Sequence, residues 1–346
     1  MTPRTTVIMH FYNEAYLLPW WLKHHYSIFD HGILIDYNST DNSVEICKKL
    51  APNWKIIPSR NTFFEAKAVD LEVMDIEKEI NGWKIALNVT EFFVCRDINF
   101  FVNYLEQLGV STCAIRGAVI VDPPNTYSTP PSSGLSLVAQ RQHGYFEDRY
   151  AEGHISNLSR SRIFHRMKDG AYHPGRHQTN HPTLVHPKGA TLNWFAFSPW
   201  SNEFINRKLQ IKTKIPSSDR DAGRGIQHFV GRQDLEDKLL SEAAKASDLM
   251  LDKSYWEIAG GWSQQPTTKG SKSQFSNLDN VTNEQGQRLT GDLSLSAQQH
   301  KENLKTIEHL KGELDYYYRK YILLSDSRAV RYAQKVKALL KRMSSF

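Results

Sequence analysis

Trp83-Lys-Ile-Ala-Leu-Asn-Val-Thr-Glu-Phe-Phe-Val94 decides how the rest of the chain is read. The run is apolar through Leu87, breaks at Asn88, Thr90 and Glu91, and turns apolar again at Phe92-Phe93-Val94. Such a pattern predicts a buried strand whose end opens into a cleft. Ligands of open α/β sheets sit outside the carboxyl ends of the strands, so Asn88, Thr90 and Glu91 stand where binding or chemistry would occur.

Upstream, Thr6-Val-Ile-Met-His-Phe11 reads as a first strand, followed by a helical pattern through Trp21, Leu22 and Tyr26. Asn13 is a candidate N-cap for that helix, and Pro19 falls near its start. Gly32-Ile-Leu-Ile35 is the second strand; Val44, Cys47 and Leu50 then recur at helical spacing, with Ser39, Thr40 or Asp41 as cap. Lys55-Ile-Ile57 is the third, and Ala66, Val69, Val73, Ile76 and Ile80 mark one face of a helix within 63–80. Strand and helix in strict alternation predict an α/β fold, a mostly parallel, Rossmann-like sheet flanked by helices.

Downstream, 100–108 reads as a helix and 112–121 as one strand, stopped by Asp122-Pro-Pro124. Residues 125–134, rich in Pro, Ser and Thr, read as a surface loop, and 150–190 is dense in His and Arg with little periodicity. Helices are expected over 201–212 and 235–251. From 263 to 299 Gln, Ser, Thr, Asn and Gly dominate, which predicts a linker after a domain spanning 1–262. Residues 300–346 read as a helical extension. Within it Tyr332, Val336, Leu339, Leu340 and Met343 share a face beside six Lys and Arg between Arg328 and Arg342. A basic amphipathic helix can lie on an anionic membrane, self-associate or dock on its own domain.

Charge is concentrated in that tail. Lys301–Phe346 holds eleven Lys and Arg against five Asp and Glu, so of the 43 and 37 in the chain residues 1–300 keep 32 of each. A neutral body argues against nucleic-acid binding. Cys47, Cys95 and Cys113 are widely spaced without a CxxC pair, so neither a disulfide framework nor a cysteine metal site is indicated. No run is long enough for a membrane span and the first ten residues lack the apolar region of a signal peptide, which predicts a cytoplasmic protein, peripheral on the membrane if the tail binds it.

The order of motifs resembles a family. His10-Phe-Tyr-Asn-Glu14, Trp20-Trp-Leu-Lys-His-His25 and Ile35-Asp-Tyr-Asn-Ser-Thr-Asp-Asn-Ser43 look like the opening of family-2-type glycosyltransferases of GT-A fold. The branch resembled has D-x-D-E-F where this chain has Asn88-Val-Thr-Glu-Phe92. The resemblance covers roughly 5–120, more loosely Tyr172-His-Pro-Gly-Arg-His177 and 210–228, and nothing after about 260. It implies a GT-A-like fold and an inverting transfer of sugar from a nucleotide-diphosphate donor to a glycan or lipid-linked acceptor. It also implies that Asp36 receives the nucleoside, with Asn38 shaping the loop and Asn13 and Glu14 on the opposite wall.

The family's paired aspartates normally hold Mg²⁺ or Mn²⁺ through hard oxygen ligands. Here Asn88 and Thr90 are neutral and only Glu91 keeps a charge. Either the enzyme needs no metal cofactor, with His and Arg side chains compensating the diphosphate, or the chain is an inactive nucleotide-sugar-binding or scaffold relative. His177, Arg224 and His228 are the candidate phosphate or sugar contacts, the last because Asp219-Arg-Asp-Ala-Gly-Arg-Gly-Ile-Gln-His228 contains glycines that permit close backbone approach. Asp219 is the first candidate for general base, with Asp221, Glu147 and Glu91 as rivals. His173, His177, His181 and His186 have spacings that suggest zinc, but Pro174, Gly175 and Pro182 break the helix that would align them.

Overall fold

The computed structural model describes residues 4–147, 160–221, 225, 228–252, 255 and 259. All fall in a compact unit, Met1–Ser271; a second unit, Lys272–Phe346, contains none of them. The expected linker, the basic helical extension and Arg224 therefore lie outside the described residues.

The protein is a mixed α/β fold whose central sheet is mostly parallel. Strands β1 (Thr5–Phe11), β2 (His31–Asp36), β3 (Lys55–Pro58) and β4 (Trp83–Leu87) run parallel, with neighbours β3-β2-β1-β4. Helices α1 (Leu18–Tyr26), α2 (Ser43–Leu50) and α3 (Ala66–Glu77) alternate with them. The period of two along β1 sorts its side chains. Val7, Met9 and Phe11 join the core with Trp21, Leu22 and Cys47 of α1 and α2, while Ile8 joins Val69 and Val73 of α3. Each of these large apolar side chains, fully buried, contributes about 1.5–3 kcal/mol.

Local chemistry sets the helix starts, and one expectation is corrected. Helix α1 begins after Leu17, with Pro19 in its first turn and no side-chain cap. Asn13 lies upstream, in the left-handed region at φ 51°. It does not cap α1, and a short amide side chain is one of the few that tolerates that backbone. Asp41 Oδ1 accepts from Ser43 N at 3.0 Å, serving the first turn of α2 from one residue outside its N-cap Asn42.

The stretch 83–94 is not one strand. Strand β4 belongs to the central sheet, whereas β5 (Glu91–Cys95) enters a second sheet, pairing antiparallel with β11 (Ala190–Phe197). Helix α4 (Ile98–Gln107) follows, capped by Asp97, whose carboxylate accepts from Asn99 N and Phe100 N. The predicted strand 112–121 also splits, into β6 (Thr112–Ile115) and β7 (Gly117–Val121) in different sheets. Arg116 marks the break, its carbonyl accepting from Leu192 N at 2.8 Å.

Beyond it come α5 (Leu137–Gln140), β8 (His143–Phe146), β9 (Arg162–His165) and β10 (Leu184–Val185). Then follow α6 (Asn202–Gln210), α7 (Ser217–Asp221), α8 (Arg232–Ala243) and β12 (Ser247–Asp248). The central sheet is ordered β10-β6-β9-β4-β1-β2-β3 and the second β12-β8-β7-β11-β5. The helix expected over 235–251 starts at Arg232 and stops at Ala243, giving way to β12 and a short 3-10 turn. No helix among the described residues is long and apolar enough to cross a membrane.

Candidate functional site

The carboxyl ends of β1, β2 and β4 lie side by side, because β1 pairs with both of the others in parallel register. At the β1–β2 end the two exit loops are tied together. Asn13 Oδ1 accepts from Thr40 N at 2.8 Å, Asn13 N donates to Ser39 Oγ at 3.1 Å, and Asp41 Oδ2 accepts from Ala15 N at 3.1 Å. Gln210, at the end of α6, donates to Asn13 O at 2.9 Å. Half-buried Asp36 uses Oδ1 to accept from Ser39 N at 2.9 Å. Its Oδ2 has no partner among the described residues, which leaves an acceptor at the rim of the sheet. Asn38 is exposed with φ 62°, so it shapes the loop and leaves its amide to solvent.

Glu14 is placed otherwise. It is buried and paired with Arg207 of α6, Nη2 to Oε1 at 2.8 Å with a second contact through Nε. Burial pushes its carboxyl up, against the pull of Arg207. This pair fastens α6 to the β1 exit, so the Glu14 carboxylate is not a pocket wall.

At the β4 end, Glu91 has no exposed surface and grips Arg162 of β9 with both oxygens, at 2.8 and 2.6 Å. The same oxygens accept from Asn88 N and Asn88 Nδ2, each at 2.9 Å. Asn88 Oδ1 in turn accepts from Arg176 Nη2 at 3.2 Å, and Arg176 is paired with Asp70 of α3. Arg176 is 4% exposed, at φ 60°, and its Nε has no partner among the described residues. Thr90 is nearly buried, and its carbonyl accepts from Phe195 N at 2.7 Å. His177 Nδ1 lies 2.8 Å from Arg162 Nη1, and the ring stacks on Trp194 at 5.9 Å. Burial first, then Arg162, pushes the His177 imidazole down to about 2, so it is neutral at ordinary pH. His10, midway between the two ends, is also held well below its usual value by burial, Arg176 and Arg162.

These donors do not fit a hard dication. The amide oxygen of Asn88 faces a guanidinium, and both Glu91 oxygens belong to a buried ion pair. Among the described residues no three His, Cys, Asp or Glu side chains are grouped to hold a metal ion. The four histidines with zinc-like spacing do not share one centre: His173 meets Asn180 and His181 the Asp169 carbonyl, while His186 and His177 reach the hydroxyl and the carbonyl of Ser161, His177 also lying against Arg162.

The candidate bases are also placed. Asp219 is 2% exposed and accepts from Ala66 N at 2.8 Å, satisfying a free amide in the first turn of α3. Glu91 is sealed in its ion pair, Asp221 is exposed near Arg220, and Glu147 pairs with Arg160 at 2.6 Å. His228 is half-buried beside α6 and α8, its imidazole pushed down to about 4 by burial and by Lys208, Arg207 and Lys238. The structure thus brings Asn88, Thr90, Glu91 and His177 into one cluster and Asn13, Asp36 and Asn38 into another. Asp219 and His228 join neither through a direct hydrogen bond. Sequence reasoning missed Arg162, Asp70, Trp194 and Arg207.

Among the solved structures that resemble the chain are three complexes with a nucleotide or nucleotide sugar. They are S. aureus TarS 1-349 in complex with UDP-GlcNAc (14% identity, 38% of each chain covered, TM-score 0.26), the same protein in complex with UDP (15%, 70% of this chain and 71% of that one, 0.34), and mannosyltransferase PcManGT from Pyrobaculum calidifontis in complex with GDP-Man and Mn2+ (14%, 75% and 84%, 0.33). The first alignment spans 38% of that TarS chain. No protein-family model and no curated protein matches the sequence.

Proposed function

We propose that this chain is a glycosyltransferase that moves a sugar, with inversion, from a nucleotide-diphosphate donor to a glycan or lipid-linked acceptor. The observation that carries the reading is the rim oxygen of Asp36. It is a carboxylate oxygen with no partner among the described residues, on a loop clamped by Asn13 at the carboxyl edge of parallel strands. Such an acceptor suits the donors of a base or ribose, and the position is where open α/β sheets take ligands.

The second support is the treatment of charge at the β4 end. Arg176 stands against Asn88 Oδ1, so a fixed guanidinium lies beside the residue that replaces the family's first aspartate. Its charge is matched by Asp70, so what a developing diphosphate would meet is the preorganised dipole of that pair acting through Asn88. This supports transfer without Mg²⁺ or Mn²⁺. The residues placed in contact with donor are Asp36, Asn38 and Asn88; Glu91, Arg162 and Arg176 position them.

The test is isothermal titration of UDP, GDP, ADP, CDP and dTDP into the full chain in EDTA, followed by transfer assays with the corresponding nucleotide sugars. Binding of at least one, lost in Asp36→Ala, and turnover that survives EDTA are expected. Turnover abolished by EDTA and restored by Mn²⁺ would refute metal independence. A second reading, an inactive nucleotide-sugar-binding scaffold, is favoured by the burial of Glu91 and Asp219, two of the carboxylates first considered as bases. Donor binding without transfer or hydrolysis would select it.

A further inference from the structure

Between the two clusters lies one polar side chain that neither employs. His10 sits on β1 opposite Ile35 of β2, and its neighbour Met9 pairs with Leu87, the residue before Asn88. The period of two puts His10 on the same side of the sheet as Ile8, towards α3. Its ring stands 5.9 Å from that of Tyr37 and 5.7 Å from that of Phe64. It is half-buried. Among the described residues it makes no hydrogen bond or ion pair, yet neither ring nitrogen is sealed from solvent. Phe64 offers no polar atom, and the Tyr37 hydroxyl donates to Glu72 of α3 at 3.0 Å. A partly desolvated imidazole keeps a donor and an acceptor unspent here, a cost that a bound ligand removes.

The charges around it point to the kind of ligand. At the β4 end Arg162 is matched by Glu91 and Arg176 by Asp70 of α3, so the two pairs sum to zero. His177, neutral, is held by the Ser161 carbonyl and Arg162. Glu72 is spent on Tyr37, Ser59 and the Arg60 amide. A diphosphate at this end meets oriented dipoles but no net positive charge from the two pairs.

We infer that His10 is a donor-contact residue, its imidazole hydrogen-bonded to the diphosphate where that group passes over the carboxyl end of β1. The inference rests on the glycosyltransferase reading. The place fits because β1 lies between β2, whose end carries Asp36, and β4, whose exit carries Asn88, so a donor held at both crosses His10. The chemistry fits as well. In the free protein burial first, then Arg176, then Arg162, keeps the ring neutral. A phosphate oxygen within hydrogen-bond reach opposes the two guanidiniums, so the imidazole takes a proton from solvent and donates a charge-assisted hydrogen bond. His10 thereby supplies the positive charge that the balanced ion pairs do not.

The experiment titrates UDP, GDP, ADP, CDP and dTDP into the full chain in EDTA, each beside its own nucleoside read by competition, in two buffers of different ionisation heat. His10→Phe keeps an aromatic ring against Tyr37 and Phe64 and removes both nitrogens. His10→Gln keeps a donor and an acceptor but cannot take a proton. His31→Phe, at the amino end of β2, is the control. Expected for His10→Phe is a loss of about tenfold or more in diphosphate affinity with nucleoside affinity within about twofold. His10→Gln should lose less, and His31→Phe nothing. The unaltered chain should take up more protons with the diphosphate than His10→Phe does, by a margin that grows from about pH 7.5 to 6. Diphosphate affinity within about twofold in His10→Phe, an equal loss for nucleoside and diphosphate, an equal loss in His31→Phe, or equal proton uptake overturns the contact. If the unaltered chain binds no diphosphate, the glycosyltransferase reading falls and the contact with it. If binding needs Asp36 but not His10, that reading stands and the contact alone falls.

Discussion

Between Glu91 and Arg162 both carboxylate oxygens and two guanidinium nitrogens are engaged, with 0% and 2% side-chain exposure. Removing one partner strands a charge in a low-dielectric interior, so Arg162→Met should destabilise the fold by about 3–5 kcal/mol. Glu91→Leu combined with Arg162→Met should recover part of that loss, and urea denaturation of both singles and the double gives the coupling. Strictly additive losses would show that the pair is not coupled. Asp219 offers a milder case. Asp219→Ala should cost about 1 kcal/mol, the usual value for a lost helix-start acceptor. A turnover loss larger than the change in folded fraction would return Asp219 to the catalytic role expected from sequence. Its partner Ala66 lies 153 residues away, so no local pattern could announce the contact. The same holds for Glu14 and Arg207, 193 residues apart. Asp36, by contrast, takes its acceptor contact from Ser39, three residues on in the same loop, a turn that the sequence itself could announce.

Elements that carry their own uninterrupted periodicity were read well, and short or broken ones were not. Strands β1 to β4 and helices α1 to α3 carry uninterrupted periodicity and match the alternation expected. Residues 112–121 are apolar on both sides of Arg116-Gly117, and a single charged residue inside an apolar run does not by itself announce that the two halves enter different sheets. The cause is steric and remote. A Cβ on Gly117 would sit 2.3 Å from the Arg160 carbonyl oxygen, so only glycine lets the start of β7 pass that backbone. Gly117→Ala should therefore destabilise by about 1–3 kcal/mol, the range for forced overpacking. An unchanged urea midpoint would mean that the 160 backbone moves aside freely. Strands β8 and β9 went unread because each is four residues long and takes its pairing from β7, or from β4 and β6; β11, eight residues long and just past the His- and Arg-rich region, was missed as well.

Across the molecule, the buried histidines set a common pH response. Burial is the leading cause in each case: it holds His10 and His25 well below the usual imidazole range and pushes His24 and His228 down to about 4 and His177 to about 2. Unfolded, these rings take a proton below about pH 6.5, while the folded protein refuses it. Stability is thus fully present above 6.5 and declines as pH falls, by up to about 1.4 kcal/mol per pH unit for each ring that stays neutral. Thermal melts should show a midpoint steady from pH 8 to 7 and dropping steeply between 6 and 5. A flat profile to pH 5 would contradict the burial of these rings. Composition located the charge of the tail but could not foresee this, because burial of a His depends on packing from several elements. At Asn88–Thr90 the chain passes from one sheet to the other, as it does again at Arg116, so each sheet's pleat is phased by the same short joints. One extra residue in either joint would turn the inward side chains of the following strand outward unless the pairing itself broke. Length at these joints is consequently fixed independently of side-chain identity, and a one-residue insertion at either should unfold the protein or break the pairing of the following strand, read as loss of the cooperative urea transition.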